Sequence, residues 1–145
     1  MRFIIFVKAS QDSEAGVPPS QELVTAMMKF NEDMAKAGVL LAADGLHPSS
    51  KGARVKFSGG KRTVIDGPFA ETKELVAGFW MIDVRSMEEA IEWVRRVPEP
   101  MGDGEEAEIE IRQVIEMDEW PEETVTPETA ARERAIRDQL SGRSS

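Results

Sequence analysis

The chain has 145 residues, 41% hydrophobic and 31% charged, which suits one globular domain with a packed core and excludes a disordered chain. Its 27 acidic residues outnumber 18 Lys and Arg, and the net charge of −9 repels phosphate backbones, so direct nucleic-acid binding is not expected. The absence of cysteine removes disulfides, thiolate catalysis and Cys-ligated zinc; with one histidine only carboxylate-rich metal sites remain, and neither a metal nor a cofactor is expected.

Residues 2–8 are β-branched and aromatic and predict a first strand, with Phe3, Ile5 and Val7 on one face and Ile4 and Phe6 on the other. This run is too short for a signal peptide, and no stretch approaches a membrane span, so a cytoplasmic protein is expected. A polar loop follows, from Ser10 to Pro19. Ser20 is the expected N-cap of a helix over 21–37, whose stripe is Leu23, Met27, Phe30 and Met34, widened by Val24 and Met28; Gly38 stops it. A second strand covers 39–46. Strands over 53–58 and 62–66 flank Gly59-Gly60, a hairpin signal. The most apolar strand is 76–84, with Trp80, Ile82 and Val84 on one face and Ala77, Phe79 and Met81 on the other. Ser86 and Glu89 form a capping box that opens a second helix through Val97, with Met87, Ala90, Ile91, Val94 and Val97 facing inward. A last strand covers 108–117.

The order β-α-β, hairpin, β-α-β is a ferredoxin-like (split βαβ) plan with an inserted β hairpin, an α+β fold. Residues 1–117 form this domain. Residues 118–145 form a tail with a short helix opened by Thr126-Pro127; it reads either as a solvated tail or as an arm on a partner subunit, and 141–145 is expected to be unstructured. Two helices cover only one face of such a sheet, yet the strands at 2–8 and 76–84 carry large side chains on both. The other face therefore predicts a homodimer, sheet against sheet, enclosing a cavity.

The run Asp66-Gly67-Pro68-Phe69-Ala70-Glu71-Thr72-Lys73-Glu74, followed by Gly78-Phe79, closely resembles the signature of the DGPF branch of the YCII-related family. Gly45-Leu46-His47-Pro48-Ser49, Glu88-Glu89-Ala90-Ile91-Glu92-Trp93 and Glu110-Ile111-Arg112-Gln113-Val114 fit the same pattern, although the family often has proline where this chain has Gln113. The resemblance covers about residues 1–117. It implies a bacterial protein and a dimeric α/β-barrel of ferredoxin-like subunits. It also implies that some members are enzymes using a His–Asp pair in a cleft, that most have no established activity, and that DGPF members are associated by gene neighbourhood with extracytoplasmic-function sigma factors.

Asp66 is read both as turn chemistry, its carboxylate capping backbone N–H groups, and as a general base at the mouth of the inter-sheet cleft. His47 is the only side chain whose ordinary pKa lies near neutrality, so it is an acid/base candidate. Glu71 and Lys73 place opposite charges beside a strand, where each shifts the other's pKa. Arg112 lies opposite Ile109 and Ile111 and would hold an anionic ligand in the cleft, or pair within the interface. Trp80 or Phe79 would line the cavity. No GxGxxG, P-loop or serine-elbow motif is present. Two uses of the fold stay open: a metal-free acid/base enzyme using Asp66 with His47 or Glu71, and a noncatalytic ligand-binding or regulatory module with a sigma factor as partner.

Overall fold

The computed structural model describes residues 1–142. Strand β1 (Arg2–Lys8) alternates buried and half-buried residues along its length, as period-two side chains on two unequal faces must. It pairs antiparallel with β5 (Val76–Asp83) on one side and β6 (Ile109–Gln113) on the other. With β2 (Leu40–Gly45) against β5, the sheet order is β2-β5-β1-β6. This mixed α+β arrangement is compatible with a ferredoxin-like subunit.

Helix α2 (Gln21–Lys36) begins where Ser20 accepts the Leu23 N–H at 3.1 Å and ends before Gly38, which has φ 76°. Helix α3 (Met87–Arg95) begins at Ser86, which accepts the Glu89 N–H. Phe3, Ile5, Phe30, Met34, Trp80, Ile82 and Ala90 form the centre of the core. Phe30 sets its ring edge-on to Trp80, with centroids 5.6 Å apart.

Several local expectations shift. The loop after β1 holds a one-turn helix, α1 (Gln11–Glu14), because Ser10 and Ser13 cap each other reciprocally. The inner stripe of α3 is Ala90, Trp93, Val94 and Val97; Met87 and Ile91 are exposed. Strand β6 ends at Gln113, short of the expected 117.

Strands β3 (Ala53–Ser58) and β4 (Lys61–Asp66) form a separate two-stranded ribbon. The chain divides into two compact units, Met1–Gln113 and Val114–Ser145. The second holds α4 (Pro127–Ser141), capped by Thr126 and carrying the ion pairs Glu128–Arg132 and Glu133–Arg137. The expected unstructured end therefore begins within a helix at Ser141, and 143–145 lie outside the described residues. No helix among the described residues is long and apolar enough to cross a membrane.

Candidate functional site

The two faces of the four-stranded sheet offer different chemistry. On the face away from the helices, register sets Phe6 beside Phe79 and Ile4 beside Met81, all only half-buried. At its β6 side Glu110 meets Lys8 and Arg112, each at 3.4 Å. Hydrogen bonding and charge from Lys8, then from Arg112, hold the Glu110 carboxyl below the ordinary 4.5. Arg112 thus stands on the open face, exposed and paired within its own strand.

The helix-covered face is not filled evenly. Toward the start of β5 the sheet is paved with small residues: Ala43 lies opposite Trp80, and Gly45 opposite Gly78. A Cβ on Gly78 would stand 3.1 Å from the Asp44 carbonyl oxygen, a tight contact that glycine avoids. Above this floor the first half of α2 has only partial cover: Leu23 and Met27 are half-buried, and Val24 and Met28 are 48% and 54% exposed. The space between is a groove of about 1340 Å³. Val7, Ala43, Trp80 and Met27 line its depth. Pro18, His47 and Pro48 form one lip, and Pro100, Met101, Glu105 and Glu106 another. Asp12 and Asp44 also belong to the lining, making four acidic residues with Glu105 and Glu106, and no Lys or Arg lines the groove.

One polar pair stands at the apolar end. Trp80 Nε1–H donates to Asn31 Oδ1 at 2.7 Å. An indole N–H only donates, so it fixes the amide orientation and leaves Asn31 Nδ2 free of any acceptor among the described residues.

The motif run at 66–74 lies elsewhere. Gly67-Pro68 is a cis peptide. The Gly67 N–H donates to Gly52 O at 3.0 Å, closing the base of the ribbon. The Phe69 N–H donates to Ser49 Oγ at 3.0 Å, and Ser49 donates its own N–H and hydroxyl to the Glu14 carboxylate. Arg54 lies 3.8 Å from the centre of the Phe69 ring. The turn is therefore capped by Ser49, not by Asp66, whose exposed carboxylate makes no hydrogen bond among the described residues. Glu71, Thr72, Lys73 and Glu74 border a shallow depression with Gln11. Glu71 hydrogen-bonds Glu74 and repels its charge, raising the Glu74 carboxyl above 4.5, while Arg54 and Lys8 pull it back. The neighbour that matters to Glu74 is thus a second carboxylate; Lys73 plays no part in the shift.

The six candidates do not converge. His47 and Trp80 share the helix-side groove. Glu71 and Lys73 share the depression. Asp66 ends β4 and Arg112 is on the sheet's open face. Phe79, not Trp80, shares that open face. No three His, Asp or Glu side chains gather in a metal-binding group among the described residues. Sequence reading passed over Asn31, Ser49 and Glu14. A serine beside proline and an asparagine in a helix carry no local signal; only the fold gives them partners.

An antiparallel four-stranded sheet with two helices on one face and a groove beneath one helix defines an α+β protein, compatible with the ferredoxin-like plan. A family model of the YCII-related domain matches residues 1–118, and the chain belongs to the YCII-related family. Over 60 residues it is 43% identical to an uncharacterised protein of Rhizobium meliloti (strain 1021); the match spans 41% of this chain and 48% of that protein's length.

Proposed function

We propose that this protein is a homodimeric small-molecule-binding protein whose ligand lies in the groove between α2 and the sheet. The observation that carries this reading is the groove's composition: a floor of small residues ending at Trp80 and Met27, with a rim of Asp12, Glu105 and Glu106 and no basic side chain. Apolar pockets with a few placed polar groups are the usual form of small-molecule sites. The ligand this chemistry favours has an apolar or aromatic body and a positive charge. An anionic ligand would find carboxylates and no Lys or Arg among the residues that line the groove. Trp80 and the methionines suit an aromatic body, and the free Asn31 Nδ2–H suits a carbonyl or ether acceptor.

Catalysis by Asp66, His47 and Glu71 together is less favoured, because no hydrogen bond or ion pair among the described residues connects them. Self-association, sheet against sheet in a dimeric α/β-barrel, is supported by the open face with Ile4, Phe6, Phe79 and Met81. Each such side chain contributes about 1.5–3 kcal/mol when fully buried.

A thermal-shift screen of amines, carboxylates and neutral aromatics tests the binding reading, with Ala43→Leu as the control that fills the floor. Amine hits abolished by Ala43→Leu are expected. Hits confined to carboxylates, or insensitive to Ala43→Leu, would overturn the assignment.

A further inference from the structure

The β3–β4 ribbon has no cover of its own. Every residue of both strands is exposed, and the strands pair only with each other. An isolated two-stranded hairpin is marginal in water. Its register separates two faces. Val55, Phe57, Arg62 and Val64 share one; Arg54, Lys56, Lys61, Thr63 and Ile65 share the other. Val55, Phe57 and Val64 are 51%, 68% and 65% exposed. Three large apolar side chains side by side are an interaction surface rather than scattered exposure.

Charge is segregated in the same place. Five of the chain's 18 basic residues, Lys51, Arg54, Lys56, Lys61 and Arg62, fall between Gly45 and Asp66, and none of its 27 acidic residues does. The ribbon is therefore a basic, apolar arm on a strongly acidic body. Six residues per strand give it a reach of roughly 20 Å to the Gly59-Gly60 tip.

We propose that the arm docks on a second copy of this chain, its apolar face against the partner and its lysines and arginines against the partner's acidic body. The occupant is identified by charge complementarity: every copy carries both the basic arm and the acidic surplus that matches it. A twofold axis makes the exchange reciprocal, so both arms are covered at once. Opposite charge steers such an encounter, and the apolar strip holds it. Nucleic acid is a poorer occupant, since the net charge of −9 opposes its approach. The proposal rests on the self-association proposed above and adds a second, arm-mediated contact to it.

The chain has no cysteine, so Ser58→Cys gives a unique thiol near the arm tip for a benzophenone maleimide. Light and 15N-labelled chains are mixed, irradiated and digested. Crosslinks between differently labelled chains, landing on acidic peptides, are expected. Phe57→Asp should weaken self-association about tenfold or more, as loss of an anchoring aromatic does. Lys56→Glu with Lys61→Glu, which keeps the apolar strip, should weaken it most at low salt. Far-UV circular dichroism checks that each variant folds. A dimer unchanged by both variants, with crosslinks only within one chain, overturns the arm and leaves the sheet-face dimer standing. A monomeric native chain at micromolar concentration overturns both.

Discussion

The hydroxyl of Ser49 accepts the backbone N–H of Phe69 at 3.0 Å and joins two turns that lie 20 residues apart. The same serine donates its N–H to Glu14 at 3.0 Å, so a carboxylate from α1 orients the serine that caps the turn. Gly67 passes so close that a Cβ there would stand 1.7 Å from the Ser49 carbonyl oxygen. Two motif segments, Leu46–Ser49 and Asp66–Phe69, are thus one clasp at the base of the ribbon. Much of the most distinctive stretch of sequence is explained by this clasp without any chemistry.

Breaking the clasp should cost stability. Ser49→Ala strands the Phe69 N–H and removes the hydroxyl's bond to the Glu14 carboxylate, a loss of about 1–3 kcal/mol in urea denaturation. Gly67→Ala sets a methyl against backbone that cannot swing aside and should cost about 3 kcal/mol or more. Equal stability of Gly67→Ala and the native chain would contradict the clasp geometry.

Asn31→Leu should leave the Trp80 indole N–H without an acceptor. The expected cost is about 1–3 kcal/mol, with a change in tryptophan emission. Asn31→Asp, which keeps an acceptor, should retain most of the stability. Indistinguishable Leu and Asp variants would show that the 2.7 Å bond contributes little.

The sheet and its helices were legible because their signals are local. Alternation in residues 2–8 and 76–84, and the serine caps at Ser20 and Ser86, depend only on near neighbours. The α3 stripe was legible at Ala90, Val94 and Val97, but Met87 and Ile91 stay exposed and Trp93 packs inward in their place. The one-turn helix after Ser10 rests on a reciprocal Ser10–Ser13 cap, whose second member is a serine rather than the glutamate or glutamine of the usual box. The groove was not legible, because it exists only where Gly78, distant in sequence from Ala43 and Gly45, lies beside them. Arg112 was placed on the right face by simple alternation, but its Glu110 partner directs it to an ion pair.

The two shifted carboxyls give opposite pH signatures. Glu110 titrates below 4.5, so its contribution to stability is present above that value and is lost as pH falls through the lower folded value. Glu74 titrates above 4.5, so stability falls as pH rises from the ordinary value through the raised one. Carboxyl carbon NMR titration should show Glu110 below and Glu74 above the ordinary midpoint. Glu71→Gln should return Glu74 towards it, and an unmoved midpoint would contradict the pairing.

Methionines on one helix should separate core from groove. Met34 is fully buried, and Met34→Ala should cost about 2–5 kcal/mol. Met28 is 54% exposed at the groove edge, so Met28→Ala should change stability by less than about 0.5 kcal/mol while weakening amine binding. Equal destabilisation by the two would place Met28 in the core and close the groove.

The central claim, an acid-rimmed apolar groove that takes a cationic ligand, is tested most directly by isothermal titration with phenethylamine and 3-phenylpropionate. The two probes share a phenyl body and differ in the sign of the charge. Binding of the amine alone, lost in Ala43→Leu and weakened by Glu105→Gln with Glu106→Gln, is the predicted result. Tighter binding of the carboxylate, or equal heats from native and Ala43→Leu proteins, would contradict it.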